Sequence, residues 1–221
     1  AATAADLAID VNRRRGSGQR KIEVIDIGGG LPVSWGKMQE YTFEQYAAEL
    51  QSVAPSLFDG TFRRVVTEMG AMMNCKYAFY ASVCEVTKPT DGGTIAMIHH
   101  GSDMFMRACY APQMRAQHPI RVFTGDGAIK KREVALHDIA GPLCFAGDVV
   151  ASAVTVPQIE PMDIVVLEEA GGNTHSLRTM HCSRRSPPIY GFETCEQEDD
   201  GLKFVVLSRG ASHEQVLAQW N

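Results

Sequence analysis

The sequence predicts two architectures in series: α/β up to about residue 76 and all-β beyond it. Three observations carry this. Residues 21–30, KIEVIDIGGG, read as a short buried strand that ends in three glycines. One helix later, residues 62–70, FRRVVTEMG, read as a second strand ending in Glu68 and Gly70. After residue 75, short apolar runs recur at roughly 10–20-residue intervals, separated by Gly, Pro and Asp, the spacing of an all-β domain.

Each element has a local reason. Residues 4–15 (AADLAIDVNRRR) read as a helix stopped by Gly16-Ser17-Gly18, with arginines in the last turn where they complement the helix dipole. Val24, Ile25 and Ile27 form the β-branched run of a buried strand. Gly28-Gly29-Gly30 leave backbone N–H groups approachable, and nests of that kind bind phosphate. By itself the triplet is a weak signal and fits an ordinary strand-to-loop exit better. Leu31-Pro32-Val33 follow, so neither a dinucleotide fingerprint nor a P-loop is present. Phe43 to Leu50 reads as a helix with Thr42 as N-cap and Gln45 completing a capping box, and Pro55 and Gly60 break it. Strand–GGG, helix, strand–Glu-x-Gly is then one βα repeat with chemistry at both strand ends, where α/β barrels carry their sites.

Strands follow at 77–86, 94–99, 120–124, 149–156, 164–167 and 204–207, with Pro161-Met162-Asp163 as a turn feeding a core strand. Residues 183–188 (SRRSPP) read as an exposed turn and 196–200 (EQEDD) as an acidic, solvated loop. Residues 213–220 form a terminal amphipathic helix after Gly210.

Composition bounds the function. With 221 residues and 45% apolar content the chain can build one or two cores. Twenty-one basic against 26 acidic residues give a net charge of −5, with no basic stripe for nucleic acid. No apolar run approaches the ~20 residues of a membrane span, and the start carries no signal-peptide core. Six cysteines (Cys75, Cys84, Cys109, Cys144, Cys182, Cys195) without a CxxC pair point to a reducing cytoplasm and away from zinc. His99, His100, His175 and His181 lack the carboxylate spacing of a metal site and read as ordinary polar side chains.

The most informative stretch is 141–148, GPLCFAGD. Gly141, Pro142 and Gly147 specify a tight backbone path that holds one side chain in one place. Cys144 lies within it, with Asp148 four residues on. Alone, the octet also fits a turn that contains a buried thiol.

Together these pieces resemble the fold-type III pyridoxal-phosphate decarboxylases, the diaminopimelate and ornithine decarboxylase family. IDIGGGLPV is similar to the family's glycine-rich phosphate loop, TEMGAMM stands at its Glu-Pro-Gly-Arg, GPLCFAGD matches Gly-Pro-x-Cys-x-x-x-Asp, and EEAGGNT (168–174) stands at its Gly-Ala-Tyr segment. The order agrees over residues 21–193. The resemblance implies that residues 1–76 are the last two βα units of a TIM-like (β/α)8 barrel and 77–221 a β-sandwich or barrel domain of the alanine racemase/decarboxylase type. It implies pyridoxal 5'-phosphate as cofactor, its phosphate held by Gly28, Gly29, Gly30, the backbone at Gly70 and Asn173. Glu68 would pair with the pyridine nitrogen so that the ring acts as an electron sink. Cys144 would reprotonate the carbon left after CO2 departs, reaching across a homodimer with shared active sites. Arg107, Phe145 and Asp148 would face the amino-acid substrate, Arg107 gripping its carboxylate.

The departures are specific. Ala71 replaces the family arginine, Met69 the proline and Asn173 the tyrosine that caps the phosphate. A charged contact to phosphate is worth ~1.5–3 kcal/mol, so the cofactor should be held more loosely unless Arg178, Arg184 or Arg185 substitutes. Phe145 replaces an acidic residue, which argues against a substrate with a distal ammonium group. The Schiff-base lysine of the family lies upstream of the GGG loop, and none of Lys21, Lys37, Lys76, Lys88, Lys130, Lys131 or Lys203 matches its context. The expectation is a C-terminal portion, inactive without a missing N-terminal barrel segment. Alternatives are an inactive or regulatory homologue acting by dimerisation, and racemase-like chemistry on the related fold.

Overall fold

The structure, a computed structural model, describes residues 1–115, 117–196 and 201–220. Helix α1 (Ala2–Arg14) leads into β1 (Val24–Asp26). Helix α2 (Phe43–Val53) has the expected capping box: Thr42 Oγ1 accepts from Gln45 N–H, and Gln45 Oε1 accepts from Thr42 N–H. Strand β2 (Arg64–Val66) pairs in parallel with β1, as a βα repeat requires. Ala5, Ala8, Ile25, Ala54, Leu57 and Phe62 close this small core, with α1 and α2 packed against the strand pair.

A short helix α3 (Gly70–Asn74) leads into β3 (Tyr80–Thr90), β4 (Gly93–Ile98), helix α4 (Met106–Tyr110), β5 (Ile120–Phe123), β6 (Val134–Ala140), β7 (Val149–Pro157) and β8 (Ile164–Leu167). These strands form one sheet in the order β5-β8-β3-β4-β6-β7, antiparallel except for the β4–β6 pair. The sheet curls until its edge strands β5 and β7 meet, giving a half-barrel rather than a flat layer. Its core contains Val122, Ile139, Val150, Val165, Leu167, Met104 and Phe105. A bulge in β7 puts Ala153 at φ 53°, and Asp138 Oδ1 takes the Ala153 N–H at 2.8 Å. Helix α5 (Asn173–Ser176) precedes an antiparallel ribbon of β9 (Ile189–Thr194) and β10 (Leu202–Ser208), and α6 (His213–Leu217) follows.

Most expected elements are present within a few residues of their predicted bounds. Strands β6 and β9 and helices α3, α4 and α5 add to the prediction. The acidic run at 196–200 lies, from residue 197 on, outside the described residues. Among the described residues no helix is long and apolar enough to cross a membrane, and no cluster of three metal-ligating side chains exists.

Candidate functional site

The C-terminal ends of β1 and β2 place the glycine triplet beside Glu68. Glu68 N–H donates to Gly28 carbonyl oxygen at 2.8 Å, which locks the two strand ends together. The Glu68 side chain is exposed. The backbone donors divide. Gly28 N–H is committed to Asp26 Oδ1 at 2.8 Å, and Gly70 N–H to the Glu68 carbonyl at 2.9 Å. Gly29 and Gly30 N–H have no partner among the described residues. A phosphate reading therefore narrows to Gly29 and Gly30 as donors. Gly28 and Gly70 shape the backbone instead of donating.

Asn173 reaches this cluster because the turn before it lies flat on the end of α3. Ala170 N–H donates to Ala78 and Gly171 N–H to Cys75. A Cβ on Gly171 would stand 2.0 Å from the Asn74 carbonyl oxygen, so only glycine allows the approach. The Asn173 side-chain oxygen then lies 4.0 Å from where a Gly70 Cβ would be. Arg107, half-buried on α4, shares a small cleft with Thr174, His118 and Trp35, one residue from Asn173. Gly28–Gly30, Glu68 and Gly70 are thus joined through the two strand ends, Asn173 stands beside Gly70, and Arg107 shares a cleft with Thr174, the residue after Asn173.

The Cys144 loop is built separately, on the turn at 101–103. Asp148 is buried, and its two carboxylate oxygens accept from Ser102 N–H and Leu143 N–H, each at 2.6 Å. Gly141 N–H donates to the Asp148 carbonyl, and Ser102 Oγ and Arg115 Nη2 donate to Gly147. A Cβ on Gly141 would stand 2.2 Å from Gly101 Cα and 2.5 Å from the Asp148 carboxylate. The backbone path is therefore dictated by an inward carboxylate, and Asp148 is the anchor of the loop rather than a group turned outward to a substrate. Cys144 and Phe145 stand exposed at the top. This departs from the buried thiol that the octet alone also fitted. No hydrogen bond or ion pair joins this loop to the Glu68 cluster among the described residues.

Several neighbours of the site are not evident from the sequence. Cys182 Sγ lies 3.8 Å from Cys144 Sγ, and the Phe145 ring meets His181 edge-on at 5.7 Å. Arg184 is partly exposed and committed within the chain. Its Nε pairs with buried Asp103 at 2.9 Å and its Nη2 donates to the His99 carbonyl at 2.6 Å. Arg178 Nη1 donates to His175 Nε2 at 3.1 Å, which leaves the ring proton on Nδ1 to be given to Tyr80 Oη at 2.6 Å. Burial pushes the Tyr80 phenol up to about 12. Lys76 donates to Ser34, Lys37 and the Glu169 carboxylate, which accounts for its ammonium protons. Beside this group an open, mostly apolar groove of about 860 Å³ runs between β3 and the β9–β10 ribbon, lined by Phe79, Tyr80, Pro188, Phe192 and Phe204. Apart from Arg178 and His175, these contacts join residues tens of positions apart that share no local motif.

A family model described as "Pyridoxal-dependent decarboxylase, C-terminal sheet domain" matches residues 51–171. The chain belongs to the pyridoxal-dependent decarboxylase family. Among curated relatives, a diaminopimelate decarboxylase of Streptomyces coelicolor is 28% identical over 212 residues, covering 90% of this chain and 45% of the relative. One from Helicobacter pylori is 26% identical over 164 residues, covering 74% of this chain and 38% of the relative. An L-glutamyl-[BtrI acyl-carrier protein] decarboxylase of Niallia circulans is 28% identical over 184 residues, covering 76% and 40%. A solved diaminopimelate decarboxylase superposes over 99% of this chain and 52% of its own length with a TM-score of 0.76 at 20% identity. The chain therefore spans about two fifths of the length of the curated relatives it matches. In this fold-type III family the half-barrel is the C-terminal sheet domain.

Proposed function

We propose that this chain supplies the C-terminal part of a pyridoxal-phosphate-dependent amino-acid decarboxylase, with residues 1–76 completing a barrel and 77–221 forming the sheet domain. The observation that carries the reading is the Cys144 loop: a thiol held at the top of a rigid loop whose charged anchor faces inward. A proton donor needs that kind of fixed exposure.

The side chains and backbone fit the cofactor at two points. Gly29 and Gly30 offer free N–H groups for phosphate, and Asn173 adds one amide. Glu68 is exposed at the strand end, where a carboxylate would hold a pyridine nitrogen protonated. Bound there, the cofactor supplies an electron sink for the bond that breaks. Arg107 orients the substrate carboxylate. Cys144 Sγ gives its proton to the α-carbon after CO2 leaves, across the interface of a homodimer with shared active sites, as the family resemblance implies. Phe145 lines the same mouth and disfavours a substrate with a charged distal amine. The cytoplasm is the proposed location, on six cysteines scattered through the sequence without a CxxC pair.

The test uses the full-length protein. Amino acids are screened for CO2 release, and Cys144→Ala is expected to lower the rate by ~10²–10⁴ while leaving the visible absorption of bound cofactor in place. No bound cofactor and no CO2 from any amino acid would overturn the reading. A regulatory homologue acting by dimerisation is the second reading. It is favoured by Ala71 and by the commitment of Arg184 to Asp103, which remove two of the arginines that could hold the phosphate.

A further inference from the structure

Cys144 and Cys182 are 38 residues apart, yet both exposed sulfurs face each other at 3.8 Å. The approach is built rather than incidental. Asp148 fastens one loop to Ser102. Asp103, the next residue, fastens the other: its carboxylate holds Arg184 and its carbonyl accepts from Thr179 N–H at 2.8 Å. Both cysteines thus hang from one turn, and Phe145 against His181 makes a second contact beside the sulfurs. Cys182 itself sits at φ 57° and Ser183 at φ 54°, a left-handed pair that L side chains seldom adopt. That kink turns the Cys182 side chain toward the loop.

We propose that Cys144 and Cys182 form a reversible disulfide under peroxide, a modification site that withdraws the thiol from the mouth of the active site. A disulfide needs its sulfurs at about 2.05 Å, so closure requires an approach of about 1.8 Å, within reach of side-chain rotation. In the chemistry, the Cys144 thiolate attacks one oxygen of hydrogen peroxide. The O–O bond breaks, hydroxide leaves and takes up the proton that the Cys144 thiol gave to solvent, forming water, and a sulfenic acid remains. The Cys182 sulfur then attacks that sulfur, the S–O bond breaks, and a second water carries away the Cys182 proton. Two thiols lose two electrons and two protons, and one peroxide becomes two waters. The contact with Cys144 holds the Cys182 thiol above its ordinary range, so Cys182 stays protonated while Cys144 is the sulfur first oxidised. Cys75 and Cys84 are buried, and burial pushes both thiols up, so they stay out of the exchange.

The bond stands on geometry alone. Its effect on activity rests on the decarboxylase reading, with Cys144 as proton donor. Full-length protein freed of reductant is treated with graded hydrogen peroxide, alkylated and mapped without reduction. The expected result is a peptide pair joined through Cys144 and Cys182 that dithiothreitol separates and that Cys182→Ser and Cys144→Ser both lack. CO2 release should fall at least about tenfold as the pair becomes fully linked and return on reduction, whereas Cys182→Ser keeps its reduced-state rate and loses the reversible component. Recovery of both cysteines as separate alkylated or over-oxidised residues, or linkage of Cys144 to Cys109, overturns the proposal. A linked pair with an unchanged rate overturns its consequence for activity. A protein that releases no CO2 at all still reads out the pair in the peptide map, so the two readings fail separately.

Discussion

Asp148 ties the turn at 101–103 to the loop at 141–148 with one buried carboxylate, and its position explains why glycine occupies 101 and 141. Hydrogen bonds to a charged group contribute more than neutral ones, and a buried acceptor cannot fall back on water. Replacing Asp148 by Asn keeps the shape but removes the charge and turns a donor toward an N–H group. Equilibrium urea unfolding of Asp148→Asn should show a loss of about 1.5–3 kcal/mol. The residue type and spacing were legible in the sequence as GPLCFAGD. Its inward direction was not, because nothing in an octet says which side chain a distant turn will claim. Cys182 was invisible for the same reason: its meaning comes from a sulfur 38 residues away.

At the scale of elements, local chemistry succeeded where it acts alone. The Thr42–Gln45 capping box was read from four residues and is present as such. Strand β6 escaped because its pattern is inverted. Val134 and Leu136 face outward at 62% and 42% exposure, while His137 is buried, its Nε2 accepting Ile159 N–H at 3.3 Å. Strand β9 escaped because Gly191 interrupts a run that follows two prolines. His118, just before β5, carries a prediction in pH. Its Nδ1–H donates to the Glu168 carbonyl at 2.9 Å, and Trp35 and Phe105 pack on its ring. Burial chiefly, helped by Arg107, lowers its pKa, against the opposing pull of that hydrogen bond and of the Glu169 carboxylate. The folded state therefore keeps the ring neutral, whereas an unfolded histidine takes a proton near 6.5. Below that value the unfolded chain binds more protons, so this contribution is complete above pH ~6.5 and is lost as pH falls. His100, also held low chiefly by burial, acts in the same sense. Denaturant midpoints measured across this range should fall on acidification for the parent, and His118→Gln should flatten the slope without abolishing it.

For the whole molecule the decisive feature is the junction of two cores. One gathers α1, α2 and the parallel pair; the other fills the half-barrel. The turn at 170–173 crosses from the second to the end of α3, and Lys76 with Glu169 adds an enclosed ion pair at 2.7 Å beside it. Gly171→Ala would push a methyl group against the Asn74 carbonyl. Overpacking of that kind costs about 1–3 kcal/mol, and thermal unfolding should report a lowered midpoint together with weaker cofactor retention in the full-length protein. The sequence by itself determined the serial α/β and β architecture, the strand-end glycines and the thiol loop, because each is set by periodicity, turn chemistry or a short motif. Only the tertiary structure decided which glycine N–H groups stay free, that Asp148 faces inward, that Arg184 belongs to Asp103, and that Cys144 has a second thiol beside it. Each of these outcomes depends on which of several possible partners a group meets in the folded chain: Asp26 for the Gly28 N–H, Ser102 and Leu143 for Asp148, Asp103 for Arg184 and Cys182 for Cys144.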